Sequence, residues 1–518
     1  MNSKRLLIIF ICALSVKAHA QSSIESQVKS PEKKMTINEK INLLCAGAAG
    51  IDRLNIPRYD WWSEALNGVA RAGKATVFPK PIALGSTWDI DLMDSISNAI
   101  SDEARAKYNI VIREKGYSGR QERLTFFSPT LNIARDPRWG RTSECYSEDP
   151  LLTSMFGVAF VRGMQGSDPV YLKTVATAKH FVANNEEDRR LAGSATVDEQ
   201  SLREYYYPAF RAAVSQGNVA SVMSAYNALN GVPCSANKFL LTDVLRKEWR
   251  FKGVVISDGS AIDRISSSHK YAPSLEAGAA LALKAGCDMS LRDEYRTGLK
   301  LAYTKGLINE ADIDMAVSRV LNLRMRLGIA GLANNNPYTH IPDSVIESYK
   351  HRRLAQKAAE ESIVLLKNDG ILLLTLKNSK PLKIGLIGDA FKSVYYGDYS
   401  GTPEHNETLW ESISAAVGDK AELKWVSEQT KDEVIPSNVL FRSKDQAYDG
   451  LLGFTGEYFD NEQLSGQPKL VRQDLSLNFI PQNDKQLKGY PVYLQDGHRY
   501  WFRQSAEDIL SHLKVPEK

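Results

Sequence analysis

The densest gathering of groups able to do chemistry is the stretch LNIARDPRWGRTSECYSEDP at 131–150. Arg135, Arg138 and Arg141 share it with Asp136, Glu144, Glu148 and Asp149, and Pro137 and Gly140 keep it from forming a regular helix. Guanidinium donors beside carboxylate acceptors can hold a polyhydroxylated ligand, because every hydroxyl both gives and takes a hydrogen bond. The same residues can instead knit a salt-bridge knot that only braces the loop, and the sequence leaves both open. In YDWWSEALNG (59–68), Trp61 and Trp62 precede Ser63 and Glu64. An indole can stack on the apolar face of a sugar while the carboxylate takes its hydroxyls, although tryptophans also simply fill cores. Asp258 closes GVVISDG (253–259). A carboxylate there can attack a glycosyl centre and form a covalent intermediate that water later hydrolyses; it can also just end a strand through an Asx-turn.

These residues need elements to hold them. The apolar, β-rich runs LTFFSP (124–129), TVATAKHF (174–181), ASVMSAYN (220–227) and GVVISDG alternate with helical patterns, such as 242–249 with Thr242 as its cap. Strand alternating with helix over 35–330 predicts an α/β fold, a (β/α)8-type barrel. The runs end in Ser128, Lys179 and His180, Tyr226 and Asn227, and Asp258. Residues at the C-terminal ends of parallel strands face the barrel mouth, where such folds keep their chemistry. Polar residues follow any strand, so the argument rests on finding Lys, His, Tyr and Asp together.

Beyond the barrel, GLANNNPYTHIPD opens a linker over 331–360. ESIVLLKNDG (361–370) and KIGLIGDA (383–390) start a C-terminal α/β sandwich domain over 361–450, with GLIGDA read as a tight strand-to-helix turn rather than a phosphate cradle. The aromatic, Gly-rich texture of GFTGEYFDN (453–461) and GYPVYL (489–494) marks an incomplete β-sandwich module over 451–518.

Residues 1–20 read as a cleaved signal peptide: Lys4 and Arg5, an apolar core of eleven residues at 6–16, and Ala18-His19-Ala20 before Gln21. Eleven residues fall short of the roughly 20 that span a bilayer, so export to the periplasm or outside the cell is expected rather than a membrane span. The 518-residue chain carries a formal +4, which falls to +1 after residue 20. That is too little positive charge for a nucleic-acid partner. Cys45, Cys145, Cys234 and Cys287 would remain, with three possible pairings or none, and their spacing fits no zinc site.

Six motifs occur in order: YDWWSEALNGVAR, FPKPIALGSTWD, IARDPRWGRTSECYSEDP, TAKHFVANNEE, SVMSAYNALNGVPC and GVVISDG. Together they resemble glycoside hydrolase family 3, the exo-acting β-glucosidases and β-xylosidases, from about Met35 to Tyr399. GDYSGTP (397–403) is also similar to the family's second domain, and GFTGEYFDN resembles the start of its inserted protective-antigen-type module. The resemblance implies hydrolysis of terminal non-reducing β-D-glucosyl or β-D-xylosyl residues from oligosaccharides, with retention and without a metal or organic cofactor. It implies Asp258 as nucleophile, and Glu64, Arg141, Lys179, His180 and Tyr226 as substrate-binding residues.

Two departures stand out. Gly259 follows the nucleophile where many glucosidase-type members have Trp and many xylosidase-type members Cys, so one wall of the first subsite is missing. The acid/base carboxylate of members with the inserted module often lies beyond it, so none is assigned here. The end of the chain within that module raises a rival expectation, a truncated and weakly active or inactive carbohydrate-binding relic. A lyase or aldolase using Lys179 in a Schiff base is a more distant alternative.

Overall fold

The computed structural model describes residues 31–330, 336–374, 376, 382–397, 399–426, 439–442, 454–458, 466–468 and 470–474. The leader span 1–20 and GYPVYL lie outside these. The described chain divides into two units, one of residues up to 374 with 395–406, the other of the remainder.

In the first unit four strands, Thr125–Phe126, Val175–Phe181, Ser221–Ser224 and Val254–Ser257, lie parallel in that order. Every residue in them is buried, which is why their sequences run apolar rather than alternating. Single-residue parallel bridges extend the pairing: Ile256 to Met289, Ser290 to Cys45, and Phe126 to Ser63. Gly47–Ala48 pairs with Tyr59–Asp60 antiparallel. Among the described residues the expected eightfold repeat is therefore irregular. Seven segments share the pairing, and one step is antiparallel because the connection from Ala48 to Tyr59 is too short for a crossover helix.

Helices cover this sheet, and their ends are chemically marked. Ile90–Lys115 starts where the Asp89 carboxylate accepts the Leu92 N–H and stops at Gly116, whose φ is +74°. Pro150–Gln165 has Asp149 as its cap and proline in its first turn. Glu310–Arg326 begins with a reciprocal Asn309–Asp312 box. The helix expected at 242–249 spans Phe239–Glu248 with π-type turns. Thr242 is not its cap: its hydroxyl donates to the Ala285 carbonyl at 2.7 Å, and Asn237 Oδ1 accepts the Leu240 N–H at 3.0 Å.

The span read as a linker, 331–360, carries most of a helix, Tyr349–Ser362. His351 Nδ1 lies 2.8 Å from Oε1 of Glu103, a carboxylate only 1% exposed, which also accepts the Glu347 N–H. Burial of that acid ties the segment to the first unit. ESIVLLKNDG forms no strand; Ile363, Leu365 and Leu366 are exposed instead.

In the second unit, Leu382–Ile387 pairs parallel with Ala421–Val426. The turn after the first strand uses Gly388 at φ +115°, a conformation open to glycine, and the Gly388 carbonyl accepts the Trp425 indole N–H at 2.9 Å. Val439–Arg442, Phe454–Tyr458 and Leu470–Asp474 form an antiparallel sheet in that order.

Cys45, Cys145, Cys234 and Cys287 are buried, free thiols. Burial pushes Cys45 up to about 11 and Cys234 and Cys287 up to about 12, so these are inert core groups. Among the described residues, no helix is long and apolar enough to cross a membrane.

Candidate active site

Three strand ends deliver the central groups. Val175–Phe181 supplies Lys179 and His180, each 2% exposed, and carries a cis peptide between them. The segment after Ser221–Ser224 supplies Tyr226, and the turn after Val254–Ser257 supplies Asp258. Glu64 follows the Ser63 bridge and is 4% exposed.

These side chains meet. Lys179 Nζ donates to Glu64 Oε2 at 3.4 Å and stands 4.7 Å from the centre of the Tyr399 ring. Arg141 binds Glu144 through two N–H donors at 2.7 and 3.0 Å and approaches His180 Nε2 at 3.4 Å. His180 Nε2 lies 3.7 Å from Asp258 Oδ2. Asp258 Oδ1 accepts the Gly259 N–H at 2.7 Å, which fixes the carboxylate and leaves Oδ2 toward His180. Tyr226 is held beside Asp258, with the Arg190 guanidinium 5.1 Å from its ring centre.

Asn132 sets the imidazole. Its Oδ1 accepts the His180 backbone N–H at 2.8 Å and stands 3.0 Å from Nδ1, and its amide donates back to the His180 carbonyl at 3.0 Å. An amide oxygen there requires the proton on Nδ1, so Nε2 is the acceptor for an Arg141 N–H.

The electrostatics follow from burial. Burial, then the cationic Arg141 and Lys179, holds His180 well below the usual imidazole range, so the ring is neutral. Burial raises Glu64 to about 7 despite Lys179, with Asp258 and Glu144 adding to the rise. Burial likewise raises Asp258, opposed by the Gly259 N–H, Lys179, Arg141 and Arg190. Burial acts to lower Lys179, but the Glu64 and Glu144 carboxylates outweigh it and its ammonium is held charged.

The arginine-rich loop divides its work. Arg141 and Glu144 enter the site, whereas Arg138 pairs with Asp136 on the surface with 88% of its side chain exposed, and Arg135 reaches the Tyr206 hydroxyl. Trp61 is core at 1% exposure; Trp62 is only partly buried. All six sequence-expected residues are gathered here. Glu144, one of the carboxylates of the 131–150 loop, joins them, as do Asn132, Arg190 and Tyr399, which the sequence did not single out. Glu144 carried a spacing signal, three residues after Arg141; Tyr399 carried none. Two cavities of about 340 Å³ border the Gly47–Asp60 hairpin and share no residue with this cluster.

Gly259 leaves a bounded space. A Cβ there would lie 3.2 Å from the Tyr226 hydroxyl, 3.7 Å from Arg292 Nε and 3.9 Å from Leu291 Cδ2. A side chain at this position would press on the Tyr226 hydroxyl, which would have to give by a few tenths of an ångström.

A carboxylate fixed at a strand end among buried Lys, Arg, His and a second acid offers both donors and acceptors, a set able to hold hydroxyl groups, on an α/β scaffold. Residues 48–323 match the Glycosyl hydrolase family 3 N terminal domain, and the chain belongs to that family. It is 37% identical over 410 residues to a probable exo-1,4-β-xylosidase, bxlB, of Aspergillus terreus, covering 76% of this chain and 52% of that protein. It is 33% identical to a xylan 1,4-β-xylosidase of Xylanibacter ruminicola, covering 84% of this chain and 51% of that one. Among solved structures, a GH3 exo-β-xylosidase in complex with a xylobiose aziridine activity-based probe superimposes with a TM-score of 0.72 at 30% identity, covering 80% and 54% of the two chains. The β-glucosidase from Listeria innocua in complex with glucose gives 0.65 at 26% identity, covering 79% and 61%. The chain spans about half the length of the curated relatives it matches.

Proposed function

We propose that this chain carries the sugar site and nucleophile of a retaining exo-β-glycosidase acting on terminal β-D-xylosyl or β-D-glucosyl residues of oligosaccharides. The observation that carries the reading is Asp258, pinned through Oδ1 by the Gly259 N–H with Oδ2 beside the neutral His180. Asp258 attacks the anomeric carbon while the Arg141 and Lys179 donors and the Glu64 acceptor hold the ring hydroxyls. As Asp258 attacks, a second carboxyl, about 5–5.5 Å from the nucleophile in retaining enzymes, protonates the leaving oxygen as its bond to the anomeric carbon breaks, and then takes a proton from the water that hydrolyses the intermediate. That acid is not assigned to any residue described here. The names of the xylosidase relatives favour xylose, and those of the structural neighbours keep glucose in view. The unbroken pairing from Cys45 through Ser290 supports a closed barrel of irregular form around this site. Export through the 1–20 leader, an α/β sandwich over 361–450 and a protective-antigen-type module over 451–518 complete the reading.

The test is intact mass after treatment with 2,4-dinitrophenyl 2-deoxy-2-fluoro glycosides of xylose and glucose, whose leaving group needs no acid. One covalent sugar mapped to Asp258, absent from Asp258→Asn, is the expected result. No adduct in a folded sample refutes the assignment.

A further inference from the structure

Two guanidiniums approach the Trp62 ring. Arg120 stands 4.0 Å from its ring centre on one contact and Arg292 5.7 Å on another. Both arginines are exposed, and among the described residues neither side chain makes an ion pair or a hydrogen bond. Neighbouring acids are engaged elsewhere: Asp60 Oδ1 accepts the Trp62 backbone N–H, and Asp293 pairs with Arg296. Glu294 feels the Arg292 charge and bonds toward Ser260, while its buried Oε2 has no partner. The Trp62 indole N–H is itself buried without a partner.

The location is what gives this meaning. Arg292 Nε comes within 3.7 Å of the position that a Gly259 side chain would occupy, one residue from Asp258, and Trp62 is two residues from Glu64. Arg292 therefore stands beside the residue that follows Asp258, and Trp62 and Arg120 extend from it as an aromatic ring and a second planar donor fork. A planar guanidinium is matched by a carboxylate, and an indole by the apolar face of a sugar ring. A uronic acid has both.

We propose that Arg120, Trp62 and Arg292 form a subsite for a carboxylate-bearing sugar unit adjoining the glycosyl unit held by Glu64 and Lys179. The subsite rests on the glycosidase reading above and extends it to acidic, uronate-substituted oligosaccharides. Gly259 is the residue that makes it: any larger side chain would occupy the space toward which Arg292 reaches.

The experiment is calorimetric binding to the full chain at pH 7 and low salt. The probes are a xylo-oligosaccharide bearing one glucuronic acid and the same compound with that acid reduced to glucose. The acid is expected to bind about tenfold more tightly, the worth of one charge-assisted contact, with the preference shrinking as salt rises. Arg120→Gln and Arg292→Gln should each reduce that preference and together abolish it, leaving affinity for the neutral probe unchanged. Arg138→Gln, at an exposed arginine already paired with Asp136, should leave the preference intact. Equal binding of both probes, or a preference that survives the double substitution, overturns the subsite alone. Binding of neither probe overturns it together with the sugar-site reading.

Discussion

His180 is gripped by Asn132 on one side and faces the nucleophile on the other: Asn132 Oδ1 lies 3.0 Å from Nδ1, and Nε2, beside Arg141, lies 3.7 Å from Oδ2 of Asp258. The ring's tautomer is thus chosen by a residue that never faces the carboxylate. Asn132→Leu leaves the His180 N–H and Nδ1 without their acceptor. Labelling of Asp258 by a fluoro-glycoside should slow by roughly 10- to 100-fold, the scale of effect when reacting groups are misplaced by about 1 Å. Denaturant melts should show a loss of about 1–3 kcal/mol for the unpaired buried donor. An unchanged labelling rate would remove Asn132 from the site.

Glu64, raised to about 7 by burial, carries its negative charge, and the stronger acceptor that goes with it, only above that pH. Affinity for a neutral oligosaccharide should therefore rise through pH 7 as the carboxylate ionises beside Lys179. Calorimetry from pH 5 to 9 should find this limb in the wild type and a flat, weaker profile in Glu64→Gln. A wild-type profile without the limb would show that the carboxyl titrates elsewhere.

The depressed His180 gives stability the opposite dependence from Glu64. An unfolded imidazole takes up a proton below about 6.5 while the buried ring does not, so the unfolded state gains protons and His180 weakens the fold as pH falls through that value. Glu64 is raised above its unfolded value and weakens the fold as pH rises from 4.5 through about 7. Thermal melts of His180→Gln should lose part of the acid-side decline between pH 6.5 and 5 and leave the neutral side unaltered.

Arg141 and Glu144 each keep 12% of their side chain exposed, whereas Arg138 is largely in water. Glu144→Gln strands a buried guanidinium and should cost about 3–5 kcal/mol in urea melts. Arg138→Ala breaks a solvent-screened surface pair and should leave the urea midpoint nearly unchanged. Similar losses for the two would contradict the division of the loop.

Much of the site was legible because strand ends advertise it. Lys179, His180, Tyr226 and Asp258 each close an apolar run, and burial of both sheet faces makes such runs conspicuous. What stayed hidden was lateral. Asn132 reaches His180 across 48 positions, and Tyr399 reaches Lys179 from 220 further along, distances at which spacing says nothing. The loop 131–150 read equally well as knot or site because it is both, with Arg138 outside and Arg141 inside. Thr242 was misread as a cap because a hydroxyl before an apolar run has the same local signature when it bonds to Ala285 in a distant helix. The helix at Tyr349–Ser362 was missed because its anchor, Glu103, is almost 250 residues earlier.

The Cys45–Ser290 bridge sets an order in time. The first segment of the sheet emerges from the ribosome early, yet the strand it pairs with follows about 245 residues later, on the order of 12–50 s of synthesis at 5–20 residues per second. Glu64 lies 19 residues after Cys45 and Asp258 32 residues before Ser290, so both flank that bridge. Long-range closure of this kind is slow, because chain entropy is lost before the contact returns any energy. Until then Trp61 and its apolar neighbours have no finished core to enter, and the nascent chain is most exposed to aggregation in that interval.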